Sequence, residues 1–119
     1  MTQPEPDPAP LGSGAAPLAD ARLDEHDGRL VVVLTGEVDA ALSGTLAQVV
    51  AAVEQRAAAG DVAVDVDAGA VTFMDSSGLR FLARLSTRTP HRVRVLHAPE
   101  AVRFLLQATR MADVVDVVG

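Results

Sequence analysis

Residues 61–82 read DVAVDVDAGAVTFMDSSGLRFL, and the fold depends on how they divide. Val62, Val64 and Val66 alternate with Ala63, Asp65 and Asp67, the two-residue period of a strand. Either this strand has a more polar second face, or its end leaves the sheet. From Ser76 onward the spacing is helical: Leu79, Leu82, Ala83 and Ser86 share one side, and Arg80, Arg84 and Arg88 line up on the other. Phe73, Met74, Leu79 and Leu82 read as core anchors on either side of the polar corner Asp75-Ser76-Ser77-Gly78. A strand passing through a short corner into a helix is half of a strand–helix–strand unit.

The same alternation extends in both directions. Upstream, residues 30–35 (LVVVLT) form a β-branched run with almost no polar alternation, which predicts a central strand covered on both faces. Asp27-Gly28 precedes it, and that pair predicts a hairpin, because both turn positions accept positive φ. Leu42, Leu46, Val49, Val50, Val53 and Ala57 then fall on one side of a helix, with Gly60 as a left-handed C-cap. Downstream, Pro90 ends the second helix. HRVRVLH predicts another core strand, PEAVRFLLQAT a helix with proline in its first turn, and DVVDVVG a last short strand or an extended tail. Strands alternating with helices imply parallel pairing through right-handed crossovers. The expected class is α/β, with a mixed β-sheet, an N-terminal hairpin and about three to four helices. Residues 1–20, rich in Pro, Ala and Gly, are expected to be a disordered tail, and residues 21–119 a single domain.

Composition narrows the chemistry. The chain has 119 residues, no cysteine, and ten basic residues that are all arginine. Thiolate chemistry, disulfides, a P-loop lysine and a Schiff-base lysine are therefore excluded. The three histidines, His26, His91 and His97, are too scattered for a zinc motif, and no metal or cofactor is expected. A net charge of -6 argues against direct nucleic-acid binding and gives no support for an anionic membrane surface. No apolar run reaches the ~18 residues of a membrane span, and there is no secretory leader, so a cytoplasmic location is expected.

In a parallel sheet, function gathers where the strands end. Glu37, Asp39, Asp75, Ser76, Ser77, Gly78 and His97 all follow expected strands and are candidates for one edge. A serine hydrolase would need a base and an oxyanion hole. Gly78 has the elbow spacing to Ser76, but Met74 occupies the matching glycine position, and His97 is a base only by assumption. A receiver-type phosphoacceptor aspartate would need a lysine, and none exists. Asp75, Ser76 or Ser77 could each cap the following helix for about 1 kcal/mol. A phosphate on serine at that helix start would add roughly -1.5 to -2 charges, which the helix end helps hold and a docked partner would not.

GEVDAALSGTL together with VTFMDSSGLRFL resembles the STAS domain and, within it, the bacterial anti-sigma factor antagonists; the resemblance covers residues 22–118. It implies a non-enzymatic phosphoprotein of transcription regulation that works by partner switching. The unphosphorylated antagonist binds an anti-sigma factor with serine kinase activity and so frees the sigma factor. Phosphorylation releases the antagonist, and a protein phosphatase restores it. By the same resemblance the acceptor is Ser76, with Ser77 as runner-up, and Asp39, Asp75, Ser77, Gly78 and Leu79 belong to the partner-binding surface. Gly78 would give the loop room in a kinase cleft. Arg80 departs from the small residue many members carry there, and stands as a specificity contact. The alternative within the family is a STAS scaffold that is never phosphorylated, as in lipid-transport or stress complexes.

Overall fold

The computed structural model describes residues 18–119. Almost all of the tail expected over residues 1–20 lies outside that range. The first two strands are β1 (Asp20–His26) and β2 (Arg29–Val38). They form the expected hairpin, paired from His26↔Arg29 to Asp20↔Thr35. Its turn has φ of 52° at Asp27 and 78° at Gly28, the left-handed pair that a two-residue hairpin requires.

A 3-10 turn (Ala40–Leu42) leads into α1 (Ser43–Ala59), followed by β3 (Ala63–Met74), α2 (Ser76–Ser86), β4 (Arg94–Leu96), α3 (Glu100–Ala108) and β5 (Asp116–Val118). The sheet order is β1-β2-β3-β4-β5, parallel throughout except for β1. The chain therefore winds in one direction with no reversal. Right-handed crossovers in a single direction place all three helices on one face.

That topology corrects the reading of residues 30–35. Leu30, Val32 and Leu34 are buried, but Val31, Val33 and Thr35 on the opposite face are only partly covered. The buried face joins Val64 and Val66 of β3, Val95 of β4, and the inward residues of the helices in one core. α1 contributes Leu46, Val49, Val50 and Val53, as its periodicity predicts. Its terminus differs from expectation: Gly60 has φ 167°, which is extended backbone and not the left-handed cap.

β3 neither stops nor leaves the sheet at Asp67; it is one strand of 12 residues. Its polar second face is explained by its neighbours. Asp65 is buried on the face away from the helices, in register with Val31 and Arg94. Arg29 donates to its two carboxylate oxygens at 3.1 and 2.6 Å. Arg94 donates to both at 2.8 Å. Burial alone would raise the Asp65 pKa, but these guanidinium bonds outweigh it and lower it to about 2. Beyond Asp67, β3 runs on past the end of β4, paired only with β2. Two register shifts lie in that stretch, and Gly36, opposite Val71, takes φ 77° at one of them.

α2 presents Gly78, Phe81, Leu82 and Leu85 to the core. The expected face of Leu79, Leu82, Ala83 and Ser86 is rotated from this by about one residue. The large side chains Phe81 and Leu85 take the inward positions, and Leu79, Ala83 and Ser86 lie at the boundary. Phe73 is 50 % exposed, so it is not a core anchor; Met74, on the other side of the strand, is.

Candidate functional site

β2 and β3 end side by side, with Val38 paired to Met74. The Asp75 N–H donates to the Val38 carbonyl at 3.2 Å, which holds the two exits together. Each exit then uses an aspartate in the same way. Asp39 Oδ1 accepts from the Ala41 N–H at 3.0 Å and starts the 3-10 turn. Asp75 Oδ1 accepts from the Ser77 N–H at 2.8 Å and starts α2. Short carboxylates in extended backbone suit this cap, each for about 1 kcal/mol. Of the three capping candidates, Asp75 is therefore the cap and neither serine is.

The serines differ sharply. Ser76 is the first residue of α2 and is exposed, and its hydroxyl makes no hydrogen bond to any described residue. Ser77 is only 9 % exposed. Gly78 is buried, and the reason is steric: a Cβ there would lie 2.5 Å from Met74 Cγ and 2.8 Å from its Sδ. The glycine lets α2 sit down on the strand end. It neither makes a tight turn nor clears space on the outside, and being buried it offers little to a partner. Leu79 is partly buried against the core.

Between the 3-10 turn, the start of α1 and α2 lies a cleft of about 160 Å³. Leu46 and Phe81 floor it, Ser43 and Ser77 line it, and Arg80 and Arg84 stand along one wall. The arginine stripe read from the sequence thus splits. Arg88 pairs with Glu54 of α1, whereas Arg80 and Arg84 have no carboxylate within reach among the described residues. Among those residues, too, no helix is long and apolar enough to cross a membrane, and no three His, Asp or Glu side chains stand together to hold a metal ion.

A family model described as "Mlab, STAS domain" matches residues 21–118. The chain belongs to the STAS family. Two solved structures share the architecture of this STAS domain. One is an anti-sigma factor antagonist from Mycobacterium paratuberculosis, 25% identical, with a TM-score of 0.74 over 84% of this chain and 85% of that one. The other is the anti-sigma factor antagonist SpoIIAA in its unphosphorylated form, 21% identical, with a TM-score of 0.64 over 83% of this chain and 88% of that one. No match was found among functionally curated proteins.

Within the STAS domain the acidic and hydroxyl candidates meet at one edge, but His97 does not join them. Its Nδ1 lies 3.2 Å from Asp67 Oδ1. Asp67 and Met74 are seven positions apart on β3, which at about 3.3 Å per residue separates His97 from Ser76 by on the order of 20 Å. No histidine base reaches either serine, so the hydrolase geometry is not met. One surface feature went unread in the sequence. Phe73 and Phe104, 50 % and 70 % exposed, border an apolar groove of about 220 Å³ between β3 and α3. The signal was present: residues 102 and 104–106 are all apolar, too many for one helix face.

Proposed function

We propose that this STAS domain is a bacterial anti-sigma factor antagonist, switched off by phosphorylation of Ser76. In its unphosphorylated state it binds a serine-kinase anti-sigma factor through the edge carrying Asp39, Asp75, Leu79 and Arg80, and the sigma factor is released. The kinase transfers the γ-phosphoryl group of ATP to Ser76 Oγ. The Oγ–P bond forms, the bond to the β-phosphate breaks, ADP leaves, and the hydroxyl proton passes to a base of the kinase. A protein phosphatase returns the serine with water as the nucleophile. The domain is substrate and ligand here, not a catalyst, and it acts in the cytoplasm, where ATP and sigma factors are found.

The observation that carries this reading is the contrast at the corner. Ser76 is exposed with a free hydroxyl at the start of a helix already capped by Asp75, so modifying it costs no cap. Ser77, the runner-up acceptor, is buried beside the cleft. Similarity to two anti-sigma factor antagonists supports the same role. The test is mass spectrometry after incubation with ATP and the serine-kinase anti-sigma factors of the same organism. A single phosphate on Ser76, absent in Ser76→Ala, is the expected result. Phosphate on Ser77 alone, or on no residue of this edge, overturns it.

A second reading compatible with the STAS family match is a STAS scaffold that is never phosphorylated. On that reading the same incubation leaves the chain unmodified, while Asp39 or Leu79 substitutions still abolish binding to the assembly partner.

A further inference from the structure

The chain's ten arginines all lie among the described residues. Eight of them donate a side-chain hydrogen bond to a carboxylate or a carbonyl: Arg22, Arg29, Arg56, Arg88, Arg92, Arg94, Arg103 and Arg110. The two that find no such partner among the described residues are Arg80 and Arg84, and both face the cleft beside Ser77. In a chain of net charge -6 carboxylates are plentiful, so two adjacent guanidiniums without one are a local exception.

Resting on the reading of Ser76 as acceptor, we propose that Arg80 is an intramolecular receiver for the phosphate placed on Ser76. Ser76 and Arg80 are four residues apart on α2, with Cβ atoms about 5–6 Å from each other on the same face. Helical side chains lean toward the N-terminus, so Arg80 extends over the turn that begins with Ser76. A guanidinium offers two parallel N–H donors to a phosphate, a geometry an ammonium lacks. Arg84 is a further turn away, about 12 Å from Ser76 along the axis, and is the natural control.

The charges around this point make the receiver consequential. Asp75 precedes Ser76 and Asp39 follows the adjoining strand end, each engaged as a cap, and Glu37 is exposed at the end of β2. The cations that follow Ser76 within α2 are Arg80 and Arg84, while Arg88 beyond its end is held by Glu54. Before modification, Arg80 is open to an acidic group on a partner. After modification, the phosphate takes it. Phosphorylation then acts twice on the same surface: it adds an anion and withdraws a cation that the partner used.

The experiment installs phosphoserine at position 76 of the full chain by genetic-code expansion, so no kinase is needed. The second ionisation of the phosphate is followed by ³¹P NMR against pH. Arg80→Ala is expected to raise that pKa by at least about 0.5, a threefold gain in proton affinity, because the cation favouring the dianion is gone. Arg80→Lys should fall between wild type and Arg80→Ala, and Arg84→Ala should stay near wild type. Equal titration curves for wild type, Arg80→Ala and Arg80→Lys overturn the receiver, whatever a kinase does to Ser76. Failure of every kinase to modify Ser76 overturns the acceptor reading instead, and the titration still reports on Arg80.

Discussion

At the scale of single residues, the polar corner assigns a different task to each of its four members. Asp75 spends its carboxylate on the Ser77 N–H, Ser76 keeps its hydroxyl free, Ser77 is covered, and Gly78 makes room for Met74. Gly78→Ala tests the last of these, because two effects oppose each other. Alanine favours a helix over glycine by about 1 kcal/mol. The new methyl would drive Met74 from its place at the cost of overpacking, typically about 1–3 kcal/mol. A net loss of about 1 kcal/mol is expected in urea unfolding, and it should shrink in a Met74→Ala background, where the clash is absent. A stabilised Gly78→Ala protein would mean that Met74 relaxes freely. None of these roles follows from composition alone. The family resemblance ranks Ser76 above Ser77, but their exposures stay unread until the helix rotation is known.

Among the elements, β3 shows where sequence reading succeeds and where it stops. The valine alternation announced the strand, the Asp27-Gly28 pair announced the hairpin, and the spacing of Leu46, Val49, Val50 and Val53 announced α1. Each of these signals is local. Apart from the Gly60 cap, what failed was non-local. Asp65 and Asp67 left two readings open, a polar second face or a strand leaving the sheet, and only the arginines of β2 and β4 that satisfy Asp65 decide for the first. Likewise the inward face of α2 was misjudged by a residue, because Phe81 and Leu85 pack inward and Met74, just before the Asp75 cap, leaves room only for Gly78. The Asp65 cluster makes a pH prediction. Its folded pKa is depressed from 3.8 to about 2, so its contribution is complete above about pH 4 and is lost as pH falls through about 2. The shift corresponds to about 2 kcal/mol. Urea unfolding at about pH 5 and about pH 2.5 should show Asp65→Asn less stable than the parent at the higher pH, with the gap narrowing at the lower. A constant gap would assign the loss to packing.

For the whole molecule, the proposed switch requires that the interface charge change while the fold does not. Ser76→Asp should therefore weaken binding to the anti-sigma factor by at least tenfold, measured by calorimetry, with the melting temperature within a few degrees of wild type. A collapse in melting temperature would make Ser76 a structural residue and remove the energetic basis of the switch. The economy of this design comes from placing the modifiable hydroxyl outside a cap that is already complete. The order of the sheet has a separate consequence. Because strand order equals chain order, each new strand joins the edge of a sheet whose earlier members have already been synthesised. No strand waits for a later one in order to be inserted between two others. The corner bearing Ser76 therefore closes on a β2–β3 pair that needs no later strand to complete it.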